Sequence, residues 1–225
     1  MAEKQKFYLD TVFCIDKTFN MFSQIDFIID FVNAYYDMAK AEIQNSVTRL
    51  EQTRIKIITF GDYNKMEQAV TDYGFFVMPE QSGELFDALN EISSDCIPLK
   101  NGYASGLEAL SYAIDSDWVD LSNQNGRQEI VVFSSNKPLS IEESRNLDNY
   151  PDDLPKNLLE LNNKWNTNPK LVKNKKMLTL FCNLEKDKNS WHPLTRWDKV
   201  IAINTEDINE YTNEFLLETI LIDII

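Results

Sequence analysis

Histidine is nearly absent from this chain, with His192 alone among 225 residues. Cysteine is scarce as well, at Cys14, Cys96 and Cys182. No Cys-x-x-Cys pair occurs and one histidine cannot complete a cluster, so a zinc site is excluded. The cysteine number is odd, the spacings are long, and Cys14 and Cys182 sit inside apolar runs. Buried free thiols in a reducing cytosol account for that pattern. Glycine is sparse, at six residues, and forms neither Gly-x-Gly-x-x-Gly nor Gly-x-x-x-x-Gly-Lys. A nucleotide phosphate cradle has no sequence basis. Basic residues are outnumbered 22 to 36, for a formal net charge of −14. Nucleic acid and anionic membrane surfaces would be repelled, so neither is expected as a partner. The run Lys170, Lys173, Lys175 and Lys176 reads as the solvated lead-in to a strand. Long apolar stretches are missing, and Asp, Asn or Lys breaks each run before it could span a bilayer. The opening Met-Ala-Glu-Lys-Gln-Lys has no apolar region behind its charges, so no signal peptide is expected.

What is present fits a folded α/β protein. Hydrophobic residues make up 43% of the chain, enough to fill a core. The length suits one domain over 1–225. Phe7 to Ile15 is nearly continuous in apolar and β-favouring residues, as a strand covered on both faces should be. Phe22 to Leu50 shows three-and-four apolar spacing, which predicts one long helix. Strands are expected at Arg54–Phe60, Ala69–Met78 (at an edge), Glu129–Ser134, Lys176–Asn183 and Lys199–Asn204. Helices are expected at Glu84–Ile92, Ser105–Trp118, Pro155–Trp165 and within Glu206–Ile225. Asn136 to Pro155 reads as a long irregular loop, of the kind that is functional or mobile. This alternation predicts a doubly wound, mostly parallel central sheet flanked by helices, with one antiparallel edge strand.

The first strand ends in Asp16, followed by Thr18 and Asn20. Those three side chains would converge above the sheet edge, a layout for a hard cation such as magnesium. Ligands of open α/β sheets gather beyond the carboxyl ends of the central strands. Two more loops should meet there: Asn101-Gly102-Tyr103-Ala104-Ser105-Gly106 and Ser134-Ser135-Asn136.

The chain resembles the von Willebrand factor type A domain, in a bacterial stand-alone form. Asp16-Lys17-Thr18-Phe19-Asn20-Met21 echoes that family's Asp-x-Ser-x-Ser-Met signature. Ile57-Ile58-Thr59-Phe60-Gly61-Asp62 is similar to its second strand, and Gly106 to Ala113 to the helix after its second metal loop. Later echoes are Ser116-Asp117-Trp118, Arg127 to Phe133, Tyr150-Pro151, Leu154-Pro155 and Trp165. The resemblance implies a metal-ion-dependent adhesion site and protein docking at the loops above the sheet. It also implies that the site is degenerate. Asp16 matches the first ligand and Thr18 keeps a hydroxyl, but Asn20 replaces the second hydroxyl with an amide. Ala104 falls where the second loop should supply oxygen, and Ser134-Ser135 stands where Thr-Asp would be. One carboxylate neutralises half the charge of magnesium, which sheds its water reluctantly. Hydrogen bonding of Asp16 to Thr18, Ser105 or backbone amides is the competing expectation.

The expected function is a non-enzymatic protein–protein interaction or scaffold module in the cytoplasm, working in a multi-subunit assembly. Its partner-binding residues are Asp16, Thr18, Asn20, Tyr103, Ser105, Ser135 and Asn136. No cofactor is expected, beyond weak magnesium binding through Asp16, Thr18 and Asn20. One alternative keeps a working magnesium ion, with an acidic group from the partner completing its shell. Another is a hydrolase in which His192 activates Ser134 or Ser135, although no nucleophile elbow is present. Trp118 is expected in the core, and Trp191 and Trp197 partly exposed. Phe27 and Phe31 fall off the main stripe of the long helix and mark a second buried or contact face.

Overall fold

The computed structural model describes residues 4–44, 48–94, 103–186 and 189–224. Its centre is a six-stranded sheet. The strands are β1 (Gln5–Asp16), β2 (Thr48–Phe60), β3 (Val70–Met78), β5 (Gly126–Ser134), β7 (Lys176–Cys182) and β8 (Val200–Asn204). They lie in the order β3-β2-β1-β5-β7-β8. All neighbours run parallel except β3, which pairs antiparallel with β2 at the edge. A small second sheet joins β4 (Tyr103–Ala104) to β6 (Lys137–Pro138). The helices are α1 (Ile25–Ile43), α2 (Ser82–Ser94), α3 (Gly106–Ile114), α4 (Ile141–Ser144), α5 (Leu158–Thr167) and α6 (Asn213–Ile220).

Strand alternation divides the core into two layers. On β1, Leu9, Phe13 and Ile15 face one layer with residues of α1, α2 and α6. Val12 and Cys14 face the other, with α3 and α5. Phe13 and Phe133 stack with centroids 6.3 Å apart, and Phe133 and Phe181 at 5.2 Å, across β1, β5 and β7. Phe31 adds an edge contact to Phe13 at 6.2 Å. Each such pair contributes about 1 kcal/mol beyond its area. One buried charge inside the sheet is paired across neighbouring strands. Asp10 is buried on β1 and takes a two-pronged ion pair from Arg54 on β2, at 2.9 and 2.6 Å.

Several boundaries differ from the sequence reading. The first helix stops at Ile43, and by Thr48 the chain is already in β2. Leu50 continues the helical spacing by coincidence, since it sits opposite Phe7 in the parallel ladder. Val47 lies outside the described residues, as does Cys96. The helix expected over Ser105–Trp118 ends at Ile114, though Trp118 is buried as expected and its indole N–H donates to the Ile114 carbonyl. The stretch after Asn136 is not wholly irregular, because it holds β6 and α4. Phe31 is fully buried, so α1 has a wider core face than its main stripe. Trp191, expected to be partly exposed, is fully buried. Lys176 is buried too, donating to the Trp165 carbonyl with its ammonium 4.3 Å from the centre of that ring.

Candidate functional site

The chain reverses its direction of winding between β1 and β5, the position where open α/β sheets form a crevice. Asp16 ends β1 there and is fully buried. Its carboxylate is saturated by protein donors. Oδ1 accepts from the Thr18 backbone N–H at 2.9 Å and from Thr18 Oγ1 at 2.7 Å. Oδ2 accepts from Ser134 Oγ at 2.7 Å and from Asn136 Nδ2 at 2.8 Å. The same Asn136 nitrogen stands 2.5 Å from Thr18 Oγ1, and Asn136 Oδ1 accepts from Asn20 Nδ2 at 2.6 Å. The amide orientation follows from these partners: a reversed Asn136 would turn its oxygen onto the carboxylate. Burial raises the Asp16 pKa above the ordinary range, and the donors from Asn136, Ser134 and Thr18 pull against that rise.

A hard divalent ion needs several oxygen ligands and enough negative charge to replace its water. Here one carboxylate faces hydroxyls and an amide N–H that donates. Among the described residues, no group of three or more His, Cys, Asp or Glu converges on a point. This donor set fits a hydrogen-bonded acid better than it fits magnesium. Asn136 Nδ2 bridges Asp16 and Thr18 as a hydrogen-bond donor.

A second tier ties the surrounding loops. Gln24 Nε2 lies 3.3 Å from the Asn20 carbonyl, 3.5 Å from Ser135 Oγ and 3.1 Å from the Glu206 carbonyl. Its Oε1 accepts from the Ile208 N–H at 2.9 Å. One buried side chain therefore links the turns after β1, β5 and β8. The Trp191 indole N–H donates to the Asn136 carbonyl at 2.9 Å, closing the other side.

The sequence-predicted residues separate by depth. Asp16, Thr18, Ser105 and Asn136 are buried, while Asn20 and Tyr103 are exposed and Ser135 is half-buried. Ser105 does not reach the acid. Its N–H donates to the Gly61 carbonyl at 2.7 Å, and its Oγ accepts from the Tyr63 N–H at 3.1 Å. Ser135 meets Met21 instead, with Oγ 3.0 Å from the sulfur. Asn101 and Gly102 of the second loop lie outside the described residues. The hydrolase arrangement is not assembled. His192 lines a separate hollow with Leu158, Leu159, Asn162 and Trp197, while Ser134 is committed to Asp16 and Asn136.

No protein-family model matches the sequence, and no curated protein does either. Many solved structures share its fold, two among them as follows. One is the human COPII-coat protein Sec24c, at TM-score 0.54 and 13% identity, covering 94% of this chain and 32% of that one. The other is the pilus adhesin SpaC from Lactobacillus rhamnosus GG in its open conformation. It aligns at TM-score 0.54 and 9% identity over 98% of this chain and 30% of that one. The chain thus spans about a third of each neighbour's length. At such identities the likeness shows the fold alone, a mostly parallel α/β sheet flanked by helices.

Sequence reasoning missed Gln24 and another buried acid, Glu108, and expected partial exposure for the buried Trp191. Glu108 sits on α3 near the Ser144 and Tyr150 hydroxyls without a closed hydrogen bond to either. Burial pushes its pKa from 4.5 to about 7. A run of apolar neighbours in Gly106–Ile114 was the available signal that this glutamate faces inward.

Proposed function

We propose that this protein is a non-enzymatic interaction module that docks another protein at the crest of its sheet without a metal ion. The saturation of Asp16 by Thr18, Ser134 and Asn136 carries this reading. In a von Willebrand type A-like site the acid would reach out to a cation and, through it, to a partner. Here its oxygens are turned inward on the protein's own donors. Recognition then falls to the exposed side chains of the crest, among them Asn20 and Tyr103. The structural neighbours, a coat protein and an adhesin, are in keeping with such a role. A reducing compartment suits the free, buried Cys14 and Cys182.

The test is partner capture from an extract of the native cell, with magnesium or with a chelator. The same partner should bind in both conditions and be weakened by Tyr103→Ala in a variant that melts normally. Binding abolished by the chelator and restored by magnesium would overturn the metal-free reading. Turnover of a captured substrate would overturn the non-enzymatic one.

A further inference from the structure

Beside the Asp16 network lies an open hollow of about 520 Å³, lined by Phe19, Asn20, Phe22, Ser23, Ser135, Asn183 and Glu206. These residues come from the turns following β1, β5, β7 and β8, so the hollow crosses the carboxyl ends of four parallel strands. We propose that it takes a peptide segment in which a large apolar side chain adjoins a lysine or arginine. This inference rests on the interaction-module reading and names the chemistry of its partner.

Three observations carry it. First, the rim holds two phenyl rings, with Phe22 63% exposed and Phe19 40% exposed. Large side chains this open, next to a concavity, are the material of interface anchors. Second, the charge lining the hollow is of one sign. Glu206 is exposed, and no lysine or arginine is among the lining residues. Asn183 Nδ2 donates to Glu206 Oε1 at 2.9 Å, which fixes the carboxylate in place. On a chain of net charge −14, an anionic ligand would be repelled and a cationic one drawn in. Third, the floor is already built. Gln24 bonds to the Asn20 and Glu206 carbonyls, so the two ends of the hollow are held before any partner arrives. The volume is within the range that accepts a few side chains. Asn20 and Ser135 supply polar groups to meet a peptide backbone.

The experiment pans a phage-displayed random peptide library against the full chain. Enriched peptides should pair an aromatic or large aliphatic residue with an adjacent lysine or arginine. Phe22→Ser and Glu206→Gln should each weaken the best peptide about tenfold or more. Both positions are exposed, and a normal melting curve for each variant verifies the fold. Acidic consensus peptides, no enrichment, or affinity unchanged in both variants would overturn the proposal. The broader reading fails separately. If metal-free capture of the cellular partner survives Phe22→Ser and Glu206→Gln but not Tyr103→Ala, the crest binds protein elsewhere and only this inference falls.

Discussion

The side-chain nitrogen of Asn136 stands 2.8 Å from Asp16 Oδ2 and 2.5 Å from Thr18 Oγ1. It bridges the two oxygens as a hydrogen-bond donor. Asn136→Asp exchanges that donor for a second carboxylate beside Asp16. Two acids at that distance resist joint ionisation, and a divalent ion relieves them. The variant should melt below the parent in chelator and recover in millimolar manganese, while the parent melts alike in both. An Asn136→Asp melt that manganese leaves unmoved would show that the loops cannot close around an ion.

Removing the acid has the opposite consequence. Asp16→Ala strands the donors of Thr18, Ser134 and Asn136 in a buried site. Loss of several bonds to a charged group should cost about 3 kcal/mol. Hydrogen exchange should quicken at residues 17–22 and 134–137, with α5 unaffected. Uniform protection across those turns in a folded variant would contradict the network.

Gly106 is a packing requirement. A Cβ there would lie 2.4 Å from Trp191 Cη2 and 3.1 Å from Phe60 Cε2. Gly106→Ala should push the indole from its place and loosen its bond to the Asn136 carbonyl. The expected cost is about 1–3 kcal/mol, as for other overpacked cores. Tryptophan emission should shift to the red. An unshifted spectrum with parental stability would mean that the ring has room to yield.

Glu108 gives the protein a pH dependence of predictable sign. Its pKa is raised in the folded state from 4.5 to about 7, so the fold binds a proton more tightly than the unfolded chain does. That contribution is complete below 4.5 and is lost as pH climbs through about 7. The interval corresponds to about 3 kcal/mol at most. Raised Asp16 and Glu129 act in the same direction. Urea unfolding at about pH 5 and about pH 8 should show that Glu108→Gln flattens the decline. An equal decline in parent and variant would remove Glu108 as the cause.

Much of the fold was legible because periodicity reports burial. The run Phe7 to Ile15 marked a strand covered on both faces, and it is one, with Phe13 and Val12 in opposite layers. Where local pattern and long-range pairing competed, pattern misled. Leu50 fits a helix repeat, but its place is decided by Phe7 across the ladder. Gathering Asp16, Thr18 and Asn20 needed only the end of a strand. That Asn136 would supply the crossing amide could not be read, because nothing local says which way a loop asparagine turns. Trp191 reads as partly exposed in the sequence because it flanks a proline-containing connection. Its burial depends on Gly106, 85 positions earlier, leaving space for the ring.

Gln24 ties three turns that are far apart in sequence into one unit. A visitor to that face meets a plate already set in shape, so little entropy is lost in ordering it. The same stiffness has a kinetic side. Swapping this glutamine for a side chain without an amide should leave the surface chemistry intact and yet slow productive encounters, since each turn would then wander on its own.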